Sequence, residues 1–185
     1  MPVRYPTVAG MFYPADKDTC REELKTYLRD AAPVNIPSPV LGGVVPHAGW
    51  VFSGATAARV FAALNTEPLP ETIVLFGAVH SWGVTRPSMY GSGAWRTPIG
   101  DVSVDEDLAH VILRTAGNLI VDQPEAHAHE HSIEVQLPFI AYLFPSARIL
   151  PIARQHGLKV VEDACQAHGA LCRLASPNGS QAARR

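Results

Sequence analysis

Apolar and polar positions change period several times along the chain, and the changes lay out its elements. Cys20, Leu24, Tyr27 and Leu28 recur at helical spacing. They predict a helix over about 18–31, with Thr19 and Glu22 placed to form a capping box at its start. The connector APVNIPSP (32–39) follows, and the short apolar run VLGGVVP (40–46) reads as a buried strand. Ser53 is positioned to cap a helix over 54–64, and TIVLF (72–76) is a second buried strand. WRTPIGDVSV (95–104) reads as extended. Asp105 caps a helix that Gly117 ends. Ile133, Leu137, Ile140, Ala141 and Phe144 fit a helix over 130–144, with Pro138 as a kink. ARILPIA (147–153) is a third strand, GLKVVEDACQAHGALCRL is helix-like in part, and SPNGSQAARR reads as a frayed tail.

Strands alternating with helices predict an α/β fold, a mostly parallel sheet flanked by helices. In such folds ligands bind in the crevice beyond the carboxyl ends of the strands. Two histidines fall at those ends: GVVP runs into His47, and the strand at 72–76 runs through Gly77, Ala78 and Val79 into His80. Neighbouring strands lie about 4.8 Å apart, so two imidazoles from adjacent strands can meet on one ion. Imidazole is the commonest protein ligand for iron, copper and zinc. The bland alternative is a pair of loop histidines that cap turns. Trp50, Phe52 and Trp82 flank the two histidines and can wall an aromatic substrate pocket, or else pack the core.

Residues 125–134 hold His127, His129 and His131 among Glu125, Glu130 and Glu134. A helix would gather His127, Glu130, His131 and Glu134 on one face, and a strand would gather the three histidines. Either can bind metal or move protons, and a solvated loop before the next helix is the plain alternative. The same residues spell H-x-x-E-H from His127 to His131, the inverted zinc-peptidase motif, which also needs an acidic ligand further on. No nucleotide-binding glycine loop and no serine-hydrolase elbow is present in the sequence.

Composition narrows the classes. Lys+Arg 15 against Asp+Glu 17 in 185 residues gives a net charge of −2, unlike a protein that coats nucleic acid. No apolar run is long enough to span a membrane. Cys20, Cys165 and Cys172 are too few and too odd in number for a disulfide scaffold, so a cytoplasmic protein is the expectation.

Five segments taken in order resemble the Memo-like family, also called AmmeMemoRadiSam system protein B. They are Val8–Asp16 (VAGMFYPAD), Pro46–Gly54 (PHAGWVFSG), Leu75–His80 (LFGAVH), Arg96–Val102 (RTPIGDV) and Glu130–Phe139 (EHSIEVQLPF). The resemblance implies a fold similar to the class III extradiol dioxygenases, which hold non-haem Fe(II) with two histidines and a carboxylate. It maps metal ligands onto His47 and His80 and places Glu130 and His131 in the pocket, where they are candidate acid–base groups. It implies Fe(II) or Cu as cofactor, dioxygenase- or oxidase-type redox activity, and a radical-SAM protein as companion. A small molecule or peptide is the expected occupant of the cleft, with neither nucleic acid nor membrane as partner. The alternative is a non-catalytic peptide- or protein-binding module using the same cleft.

The chain departs from the family's pattern in two ways. Ala78 stands where the family has proline, and the later segment with a cysteine ligand is missing, so a partial, C-terminally truncated Memo-like domain is expected over 1–153. Residues 154–185 read as a divergent or fused tail. Within them His156–Ala170 resembles a segment of pyridoxal-phosphate sugar aminotransferases, in which Asp163 would face the cofactor. The rest of that fold is lacking, so no pyridoxal-phosphate site is expected.

Overall fold

The computed structural model describes residues 2–31, 40–80 and 84–155. Elements run in the order β1 (Val3–Arg4), α1 (Lys17–Arg29), α2 (Trp50–Leu64), β2 (Thr72–Val79), β3 (Ser88–Met89), β4 (Ala94–Thr97), β5 (Gly100–Ser103), α3 (Glu106–Ala116), β6 (Val121–Asp122), α4 (Leu137–Leu143) and β7 (Arg148–Gln155). They form two sheets, one ordered β1-β4-β5 and the other β2-β7-β3-β6. The pairs β1–β4, β2–β7 and β3–β6 are parallel. The pairs β3–β7 and β4–β5 are antiparallel. The class is therefore mixed α/β, with helices packed on the sheets.

Most predicted elements form, with instructive shifts. The cap of α1 is Asp16, which accepts from the Thr19 N–H and hydroxyl. Thr19 thus lies one turn inside the helix rather than at its start. Cys20 and Leu24 are fully buried on the apolar stripe. The Cys20 thiol is pushed up to about 12 by that burial, so it is core filling rather than a reactive thiolate. Helix α2 begins at Trp50 on Gly49, and Ser53 donates to Ala48 O from inside the first turn. Asp105 caps α3 through Leu108 N–H, and Gly117 ends it at φ 55°.

Two expectations fail. The run at 40–46 is not a strand: it pairs with no neighbour among the described residues, and Leu41 and Val44 are almost fully exposed. Apolar content made it look like a strand, but a strand exists only where a partner takes up its backbone groups. The helix expected over 130–144 is split. A 3-10 turn covers Glu134–Gln136 and α4 begins only at Leu137, with Pro138 in its first turn. Proline there costs no backbone hydrogen bond and starts the helix instead of kinking it.

The core lies between helices and sheets. Phe139 of α4 stacks on Phe61 at 5.1 Å and meets Trp50 at 4.9 Å. Strand β2 shows an alternation that a buried strand lacks: Val74 and Phe76 face outward, Phe76 at 80% exposure, while Val79 is buried. Among the described residues nothing pairs with the other edge of β2. No helix there is long and apolar enough to cross a membrane. Residues 156–185, including the stretch that resembles the aminotransferases, lie outside the described residues, as does Trp82.

Candidate metal centre

His47, His80 and His131 come together at the carboxyl end of β2. One ring nitrogen from each lies within 4.8 Å of the others. The His80 and His131 rings are nearly parallel with centroids 4.4 Å apart, and His47 lies 5.5 Å from His80 and 5.9 Å from His131. Three nitrogens at about 2.1 Å around a tetrahedral ion would lie about 3.4 Å apart. The cluster lies on that scale, which makes its three rings candidates to share one ion. His131 stays below the usual histidine range, because burial and the neighbouring His80 and His47 rings all disfavour its charged form. A neutral imidazole is the form that ligates metal. No carboxylate joins the cluster among the described residues.

Each histidine sits on a defined support. His80 directly follows the last residue of β2. His47 lies in the loop that enters α2. Its flanks are tied by Trp50 N–H to Phe12 O at 2.7 Å and by the Gln136 side-chain amide to Pro46 O at 2.9 Å. His131 sits in the turn before α4, with the Phe12 ring edge-on at 5.2 Å. That turn rests on Gly77. A Cβ at Gly77 would come within 2.6 Å of Ile133 Cγ1 and 2.7 Å of Ser132 Oγ, so the close approach needs glycine.

The other predicted site residues are placed differently. Glu130 is fully buried, and its carboxylate accepts from the Ser132 N–H and hydroxyl and from the Ile133 N–H. Burial raises its carboxyl above the ordinary range, with the Ser132 and Ile133 hydrogen bonds pulling the other way. Trp50 is a core residue, with its indole N–H on Val135 O at 3.0 Å. Phe52 is 79% exposed on α2. The inverted zinc-peptidase pattern is not realised. His127 ends a 3-10 turn and is fully buried, its Nε2 3.0 Å from Ser88 O and its ring edge-on to Tyr90 and Trp95. Only His131 of that motif enters the cluster, because 125–134 coils as turns and presents no helical face.

Sequence reasoning placed His131 in the pocket without joining it to His47 and His80, and it missed the hydrogen-bonded frame around it. Glu134 forms a buried ion pair with Arg4 at 2.7 Å. It also accepts from Thr7 and Val8 N–H, the Thr7 hydroxyl and the Tyr13 hydroxyl. Burial alone would raise the Glu134 carboxyl, but the N–H groups of Val8 and Thr7 and the Arg4 guanidinium outweigh it and hold the carboxyl below its usual range. A signal was available: Glu130, Ser132, Glu134 and Gln136 alternate with His131, Ile133 and Val135. Polar side chains so close to an apolar helix need hydrogen-bond partners wherever the fold buries them.

These features define an α/β domain with a histidine cluster at the carboxyl edge of its sheet. The family model for Memo-like proteins matches residues 4–167. A MEMO1 family protein of Thermococcus onnurineus is 48% identical over 155 residues, covering 81% of this chain and 52% of that protein. Another from Pyrococcus abyssi is 44% identical over 155 residues, again 81% of this chain and 52% of its own length. One from Methanopyrus kandleri is 39% identical over 173 residues, 89% of this chain and 61% of that protein. The chain belongs to the Memo-like family and spans about half the length of the curated relatives it matches. The family match runs to residue 167.

Proposed function

We propose that His47, His80 and His131 hold one transition-metal ion and that the domain serves metal-dependent redox chemistry of the dioxygenase or oxidase type on a small molecule or peptide. The observation that carries this reading is the approach of three ring nitrogens to within 4.8 Å of one another. The donor set fits. Three nitrogen ligands, with His131 held neutral, suit Cu, Zn or Fe. Iron or copper would supply electron transfer and dioxygen activation at the sheet edge. His80 is the exposed member of the trio, so small molecules approach from its side. His131 moves from candidate proton carrier to third ligand, and Glu130 holds the loop beneath it. Residues 1–153 would carry the site. The whole family protein's substrate and any radical-SAM companion belong to the same proposal.

Metal analysis of protein purified with and without oxygen tests it. One equivalent of iron or copper is expected in the native sequence, and His47→Ala, His80→Ala and His131→Ala should each lower affinity on the order of a hundredfold. Stoichiometric metal in the triple variant sinks the site. The competing reading, a non-catalytic binding module, is favoured by the exposure of Val51 and Phe52 beside the His47 loop. It predicts peptide or protein capture that survives loss of all three histidines.

A further inference from the structure

Ser132 links the segments that carry His80 and His131 through a relay that the proposed chemistry does not use. Its hydroxyl donates to Glu130 Oε1, and its oxygen accepts the Ala78 N–H at 2.9 Å. Ala78 lies two residues before His80, and Ser132 directly follows His131. The relay therefore spans the two chain segments whose imidazoles stack at 4.4 Å. The donor is available because position 78 carries alanine, since proline has no N–H to give. Glu130 fixes the direction of the hydroxyl: with the Ser132 N–H on Oε1 at 2.5 Å, the Ser132 proton points to the carboxylate and its lone pairs face β2. Gly77 removes the side chain that would hold the turn away.

We infer that Ser132, oriented by Glu130, is a positioning residue that sets the spacing of His131 against His80. The inference rests on the three-histidine reading for its effect on metal, but the spacing itself exists without metal. Glu130 enters as a hydrogen-bond acceptor, and a charge on it is not required. It is a positioning residue because its oxygens face Ser132 and Ile133 and not the ring nitrogens.

Two measurements on the full chain test this. In metal-free protein, proton NMR reads the stack directly, because each imidazole shifts the ring protons of the other. Ser132→Ala should move the His80 and His131 ring protons toward open-chain values. Glu130→Ala should do the same, and Glu130→Gln, which keeps the acceptor oxygen, should stay close to the native spectrum. In the second measurement, Cu(II) titration with electron paramagnetic resonance should show three coupled nitrogens in the native protein. Ser132→Ala should bind about tenfold to a hundredfold more weakly with fewer coupled nitrogens, and Ser132→Thr should restore both. Unchanged ring shifts in Ser132→Ala overturn the inference, as does native Cu(II) affinity in that variant. If the native protein takes no Cu(II), Fe(II) or Zn(II), the metal reading falls, and the ring shifts still decide the role of Ser132. Should Ser132→Ala fail to fold, the Glu130→Ala and Glu130→Gln pair carries the same comparison.

Discussion

The side-chain amide of Gln136 donates to the carbonyl oxygen of Pro46 at 2.9 Å, across 90 positions of sequence. Pro46 directly precedes His47, and Gln136 ends the turn that holds His131. One hydrogen bond thus connects the supports of two cluster histidines. Gln136 is 3% exposed, and its Oε1 has no partner among the described atoms.

Replacing Gln136 with Met should therefore act on the site more than on the fold. A net hydrogen bond contributes about 1 kcal/mol, while Met fills the space and removes an unsatisfied oxygen. The expected result is a thermal midpoint within a few degrees of the native value and metal binding weakened about fivefold. Calorimetric titration beside a melting curve measures both. A large fall in midpoint with native affinity would make Gln136 a fold residue only.

Arg4 and Glu134 are 6% and 1% exposed and 2.7 Å apart. Arg4 also donates to the carbonyls of His127 and Glu130, so this pair ties β1 to the whole histidine-bearing turn. Removing one partner leaves a buried charge alone, which costs about 3–5 kcal/mol. Arg4→Met and Glu134→Leu should each destabilise by that amount in chemical unfolding. The double variant should be clearly more stable than the sum of the two losses predicts. Additive losses would show that the two side chains act independently.

His127 gives the fold a pH dependence of known sign. Burial pushes it down from 6.5 to about 4, against the Ser88 carbonyl that favours its proton. The unfolded chain takes up the proton first as pH falls, so the stability from neutral His127 is present above about 6.5 and is lost down to about 4. That amounts to about 3 kcal/mol. Glu134, held low, loses stability in the same direction below the carboxylate range. Glu130, held high by burial, works in the opposite sense. Comparison with His127→Gln isolates the histidine: the gap between native and variant stability should shrink by about 3 kcal/mol from pH 7 to pH 4. Parallel curves over that range would show that His127 does not titrate with unfolding.

Much of the scaffold was legible in the sequence. The 72–76 and 147–153 runs give β2 and β7 because apolar, β-branched stretches fit the pleated, half-buried surface of a sheet. Asp105 and Gly117 bound α3 because caps act within a few residues. The position of His47 and His80 beyond apolar runs pointed to the sheet edge, although the 40–46 run before His47 turned out to be loop.

Sequence determined the local elements, the family and two of the three imidazoles, since each depends on neighbours within a few residues or on a recognisable motif. Tertiary structure decided that His131 completes the cluster, that His127 turns inward, and that Glu130, Ser132, Glu134 and Gln136 bind the loops together. Those outcomes depend on partners 54 to 130 positions away for Ser132, Gln136 and Glu134. No periodicity reports which distant carbonyl or N–H a buried polar side chain will find. Only the packed chain satisfies them all at once.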